Sequence, residues 1–298
     1  MTGLGALIRR NVKLFFHDKG MFFTSLITPL ILLVLYGTFL AGIYRDSFTS
    51  ALPAFFSVEE SLIDATVGGQ LASSLLAVSC VTVAFCSNLL MVQDKVSGAR
   101  RDLTVSPVRR STLAVGYFCA SALTTLIVSV TAYAVCLAYL GRMGWYLSAA
   151  DVLALLLDVV LLTLFGVALS SCVNFFLSTS GQASAVGTIV SAGYGFLCGA
   201  YMPISNFSEG LQKALSFLPG TYGTSLLRNH ALRGVYAELR AAGFPDEAVE
   251  MIRDSIDCNL YFYGEKVSVP AMYLILIAAV AVLTALYVLL NVLSAKRR

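Results

Sequence analysis

Charge is what this sequence has least of. Asp, Glu, Lys and Arg make up 12% of its 298 residues, about half the share in an ordinary soluble domain. Hydrophobic residues make up 58%. So much apolar surface cannot be hidden in one water-facing core, and a bilayer must act as part of the solvent. Groups for acid–base or metal chemistry are equally few. The two histidines, His17 and His230, lie far apart. No H-E-x-x-H zinc helix, no G-x-x-x-x-G-K-[ST] phosphate loop and no G-x-S-x-G elbow occurs. The chain is therefore expected to be no enzyme, to hold no metal or cofactor and to bind no nucleic acid. Strand-like alternation over ten-residue segments is missing too, which argues against a spanning barrel. The seven cysteines make no framework. Cys80, Cys86, Cys119, Cys136 and Cys172 fall in apolar stretches and read as small apolar side chains. Cys258 is left free, bonded to Cys198, or bonded to a second chain.

What is present is a set of uncharged runs: 20–44, 65–93, 111–141, 159–208 and 267–295. A spanning helix needs about 20 apolar residues. The fourth run has room for two spans, and the polar stretch "NFFLSTSGQ" (174–182) is where it breaks. The expected fold is all-α and polytopic, with six transmembrane helices at 21–43, 67–92, 112–140, 151–173, 182–202 and 270–293. The whole chain, 1–298, forms one transmembrane domain. Cations set its orientation. With both termini cytoplasmic, the short outer loops hold only Arg45 and Arg142. The inner segments hold Arg9, Arg10, Lys13, Lys19, Lys95, Arg100, Arg101, Arg109, Arg110 and the closing Lys296–Arg298. The cations after the first residues precede a full-length span rather than a short signal-peptide core, so no cleavable signal is expected.

Four features stand out along the chain. Leu4, Leu7, Ile8, Val12 and Phe15 share one face of an expected N-terminal interfacial helix within 1–19, with Arg9, Arg10 and Lys13 off that face. Pro29 falls inside the first span and is expected to kink it. Ala183, Gly187, Ser191, Gly195 and Gly199 recur every four residues. Such a ladder allows close approach of another helix, in this chain, at a subunit interface or beside a transport path. Asp158 lies inside a span, seven residues after Asp151, and an intramembrane carboxylate is a functional suspect. The outer segment 203–269 begins with an apolar stripe, Phe207, Leu211, Ala214, Leu215 and Leu218, that Pro219-Gly220 interrupts. It reads as two re-entrant half-helices. A small outer amphipathic helix follows, carrying Val249, Ile252 and Ile256.

The short inner gap between the second and third spans, "QDKVSGARRDLTVSPVRRS" (93–111), carries five cations and two anions. A loop that only sets topology needs a few cations. Mixed signs give directional pairing with a protein partner. Gly98 and Ser106-Pro107 interrupt the helix and leave a short one lying across the inner surface.

Residues 94–110, "DKVSGARRDLTVSPVRR", resemble the first cytoplasmic loop of ABC-2 type permeases, whose membrane fold is termed type V. Residues 199–234 are similar to that family's outer segment between the fifth and sixth spans. Asp94 and Lys95 stand where members often carry two acids. The resemblance implies the membrane half-unit of an exporter in the plasma membrane, paired with a second copy or a homologous permease. A separate ABC ATPase would supply ATP and Mg chemistry. It implies a coupling helix around Gly98–Pro107, with Asp94, Lys95, Gly98, Arg100, Arg101, Asp102, Pro107 and Arg109 in the coupling loop 93–110. It implies a path lined from the second and fifth spans by Phe85, Asn88, Thr188, Ser191 and Tyr194. An outer cap would use Pro203, Leu211, Leu215 and Pro219. Apolar, aromatic and hydroxyl side chains suit an amphiphilic substrate such as a drug, lipid or lipid-like peptide. Two rivals are a proton-coupled transporter using Asp158 and a membrane scaffold or sensor subunit.

Overall fold

A computed structural model describes residues 3–51, 59–105 and 110–296. Helix α1 (Leu4–His17) leads into α2 (Lys19–Leu35), a π-helical turn (Tyr36–Leu40) and α3 (Ala41–Ala51). Then come α4 (Glu60–Val96), α5 (Ala99–Val105), α6 (Arg110–Met143), α7 (Ala149–Phe176) and α8 (Ser180–Leu197). The remainder is α9 (Glu209–Leu215), α10 (Pro219–Ala241), α11 (Asp246–Ser255), a hairpin of β1 (Tyr261–Phe262) and β2 (Glu265–Lys266), and α12 (Val269–Lys296). Among the described residues α2 with its π turn, α4, α6, α7 and α12 are each long and apolar enough to cross a membrane. The chain is an all-α polytopic membrane protein. Helix α8, which overlaps the span expected at 182–202, has 18 residues and is rich in Gly and Ser; it is not among those five.

Helix α4 is the axis. Of its most apolar stretch 94% is buried, against 24% for α2 and 11% for α12. Its small side chains, among them Ser73, Ser74, Ala77, Ser79, Cys80 and Ala84, let neighbours close in from every side. Helix α7 approaches closely. A Cβ on Gly166 would stand 3.0 Å from the Cys80 carbonyl oxygen and 3.0 Å from the Val81 Cα, so a side chain there would have to push the crossing apart. Buried hydroxyls pair across the bundle. Ser87 Oγ lies 2.6 Å from Ser121 Oγ and 2.9 Å from Thr125 Oγ1, both on α6.

The chain stays helical through Pro29, and the helical register changes at the π turn, followed directly by α3. Helix α1 packs against α6 through Leu7, Asn11 and Phe15, spaced by four. The expected stripe included Ile8 and Val12, which are half-buried. The buried line is rotated toward Asn11 because Arg10 reaches into the bundle and donates to Asn11 Oδ1 at 2.8 Å.

At the end of the bundle far from α5, the expected pair of short half-helices is only half present. Helix α9 has seven residues, but α10 has 23, about 34 Å of helix. Its first half is wedged among α4, α7 and α12. Its second half enters a separate apolar core with Phe48, Leu62, Val249 and Ile252. A helix buried on most sides shows little amphipathic pattern, so the sequence understates its length. Of the apolar stripe 207–218 only Leu215 is buried.

Candidate functional site

The α5 end is built on a rigid stem. Helix α4 stops at Val96, and Gly98 takes a left-handed φ of +84°, a conformation that glycine adopts freely. The chain then turns into α5, none of whose residues is buried. Arg101 and Asp102 are exposed, Arg100 and Leu103 half-buried, and Val105 is 83% exposed. Leu103 packs against a cluster containing Leu7, Met91 and Leu113, which seats α5 on the bundle.

Asp94 and Lys95, expected to face a partner, face their own chain. Arg10 donates to both oxygens of Asp94, at 2.7 and 3.0 Å, and Tyr117 Oη donates to Asp94 Oδ2 at 2.5 Å. These bonds to Asp94 hold the Arg10 guanidinium above its ordinary pKa. Lys95 Nζ donates to the carbonyl oxygens of Asn174, Phe175 and Leu177 at 3.1, 2.7 and 2.8 Å. It thereby caps the last turn of α7, where helix carbonyls lack partners. The reason is phase. The last turn of α4 is still inside the bundle, so both residues meet neighbouring helices. Pro107 and Arg109 lie outside the described residues.

A groove of about 1110 Å³ runs between α2, α4 and α8, at the upper end of ligand-site volumes. On α4 it extends from Thr66 to Leu89, about 34 Å of helix and thus the full thickness of a hydrocarbon core. Thr188 and Ser191 line it, as does the small-residue ladder through Ala183 and Gly187. Gly195 instead underlies the ring of Tyr201. The other expected path residues are turned away. Phe85 is buried in the main core. Asn88 Nδ2 donates to Ser170 Oγ and Ser171 Oγ at 2.9 and 2.7 Å on α7. Tyr194 is buried beside Gly220 of α10. Small polar and apolar side chains are spread around the whole circumference of α4, so no sequence pattern reports its rotation. The residues missed were Thr24, Thr28 and Gln70. The hydroxyls at 24 and 28, one helical turn apart in an apolar run, were the available signal.

The far end holds the remaining polar groups. Of the expected cap, Pro203 lines the groove, Leu211 is exposed, Leu215 is buried and Pro219 begins α10. Asp158 Oδ2 lies 2.6 Å from His230 Nδ1 on α10, and Tyr273 Oη on α12 donates to Asp158 Oδ1 at 2.6 Å. Both carboxylate oxygens are thus engaged within the chain. Asp151 serves a capping box with Ser148 at the start of α7. Arg228, fully buried, donates to the Ile256 and Gly199 carbonyls and contacts Asp257 Oδ2 at 3.4 Å. Asp257 in turn accepts from the backbone N–H groups of Ile204 and Ser205. Sequence reasoning passed over Arg228, since nothing local marks a buried arginine. Cys198 and Cys258 are both buried and free; burial pushes the Cys258 thiol up to about 11.

The geometry is that of a membrane body with a short unburied helix, α5, at the end of its stem and a long uncharged groove. No curated protein matches the chain in sequence. Residues 49–287 match the family model described as ABC-2 family transporter protein. That match covers most of the chain, from α3 to α12, and it places the chain in the ABC-2 family, as the membrane permease of an ABC-type transporter.

Proposed function

We propose that the chain is the passive half of an ATP-driven exporter of amphiphiles in the plasma membrane, with both termini cytoplasmic and α5 as its coupling helix. The observation that carries this reading is the contrast along 94–105. Asp94 and Lys95 lock the stem to α1, α6 and α7, while Arg100, Arg101 and Asp102 stand on an unburied helix beyond it. A knob on a stiff stem transmits displacement; a knob on a floppy one does not. The ABC ATPase that such a permease serves would grip α5. ATP would bring two ATPase subunits together, and a second copy or a homologous permease would complete the assembly. The groove between α2, α4 and α8 would carry the substrate outward. Nucleotide acts by binding one state of the assembly better than the other.

The test is Arg101→Glu combined with Asp102→Arg, two substitutions on an exposed helix. The expected outcome is at least about tenfold loss of co-purification with the ATPase, or of substrate-stimulated ATP hydrolysis, with an unchanged melting temperature for the chain. Wild-type assembly and transport in the double variant would refute the coupling assignment.

A further inference from the structure

Helix α9 and the β1–β2 hairpin share an apolar face that the described residues leave uncovered. The Phe217 ring meets those of Phe262 and Tyr263, with centroids 5.3 and 6.2 Å away. Phe217 is 61% exposed and Tyr263 63%, and Leu211, Leu218 and Phe262 are exposed beside them. Single exposed apolar side chains need no explanation, but a contiguous patch marks an interaction surface. The hairpin adds a second observation. Its two-residue turn, Tyr263-Gly264, has φ of +50° and +91°. Such turns favour Asn or Gly in the first position, and a bulky residue at positive φ is strained. The fold sets a large ring at a strained position and does not bury it.

The surface that continues this patch is lipid-facing. Helix α12 begins at Val269, three residues after β2 ends. It is long and apolar enough to cross a membrane, only 11% of its most apolar stretch is buried, and Leu274 on it is exposed. On the other side, Thr221 Oγ1 donates to the Leu197 carbonyl, so α10 starts beside the last turn of α8. Polar groups set the depth. Glu265 and Lys266 are exposed on the hairpin, and the outward backbone groups of a two-stranded hairpin need water. Neither is stable in hydrocarbon. The headgroup layer accepts both, and it is where aromatic rings collect.

We infer that α9 and the hairpin form a foot seated on lipid. The rings of Phe217, Phe262 and Tyr263, with Leu211 and Leu218, rest in the headgroup layer of the leaflet far from α5. The exposed charges of the two segments balance, Glu209 and Glu265 against Lys213 and Lys266, so the attraction is apolar and needs no anionic lipid. Gln212 Nε2 donates to the Ser205 and Phe207 carbonyls at 3.1 and 2.8 Å, beside Pro203 and Asn206, which line the groove. The foot therefore fixes the depth of that end of the groove in the bilayer.

The experiment uses the full chain in phosphatidylcholine nanodiscs. Trp145, the one tryptophan, is removed as Trp145→Phe. Phe217→Trp, Phe262→Trp and Met251→Trp are then made singly, the last on the exposed side of α11. One quencher is phosphatidylcholine brominated near the carbonyl end of its acyl chain, and the other is iodide in water. Phe217→Trp and Phe262→Trp should each lose at least about threefold more emission to the brominated lipid than Met251→Trp does, and iodide should reverse that order. Mixing in anionic phosphatidylglycerol should change neither result. Lipid quenching no stronger at the two ring positions than at Met251→Trp would overturn the inference and place the patch in water. Protection of both positions from both quenchers would overturn it in favour of a protein cover, such as a second copy. Quenching that needs the anionic lipid would overturn it too. Two ring positions are probed so that a variant that fails to fold leaves the other to decide. No readout involves ATP or transport, so the result stands apart from the export reading.

Discussion

Each end of the bundle buries an aspartate beside an arginine, and the two pairs are built on different principles. At the α5 end Arg10 meets Asp94 as a two-pronged fork, with Tyr117 completing the carboxylate's shell. The Arg10 side chain remains 34% exposed. At the far end Arg228 is 0% exposed and touches Asp257 at one 3.4 Å contact. Its other partners are the Ile256 and Gly199 carbonyls and Ser74 Oγ. The first pair is an ion pair that fastens one helix, α1, to the stem. The second is a hub where α4, α10, the α8–α9 connector and the loop after α11 meet. Solvent tempers the first, while only protein atoms can satisfy the second.

That contrast can be broken by substitution. Arg228→Met should cost the most, about 4 kcal/mol, because it leaves a buried carboxylate without its counter-charge and two carbonyls without their donor. Limited proteolysis of residues 243–268 should accelerate in step with the loss of thermal stability. Arg10→Met should cost about 2 kcal/mol, since the guanidinium is partly solvated and screening discounts the pair. Equal melting-temperature losses in the two variants would erase the distinction between the pairs. The mildest effect belongs to Lys95→Met. It removes a cap from α7 for about 1 kcal/mol, read as faster amide exchange confined to residues 174–177. Exchange spreading through α7 would mean that Lys95 holds the helix rather than its last turn.

Much of the architecture was legible in the hydropathy pattern. Helices α4, α6, α7 and α12 each begin and end within a turn or two of an expected span, because excluding charge from the hydrocarbon leaves long uncharged runs in the sequence. The first span was legible too, although its helix continues through the π turn into α3 instead of ending near 43. The inner island was legible as a break in that pattern, and α5 lies inside it. Which of its charges face outward was not. Asp94 and Arg10 are 84 positions apart, and no local pattern joins them. The groove was partly legible: Thr188 and Ser191 were singled out and line it, whereas Phe85, Asn88 and Tyr194 do not. Those three were assigned by helix number, and the face a helix presents depends on neighbours brought in by tertiary packing.

Sequence alone determined that this chain lives in a membrane, that it is helical, and that it carries a charged turn between its second and third spans. These are matters of transfer free energy, which each residue contributes largely by itself. Tertiary structure decided the rest: the rotation of α4, the burial of Arg228, and the partners of Asp94, Asp158 and Lys95. A polar group inside the bundle is stable only against a specific partner, and that partner comes from a distant part of the chain.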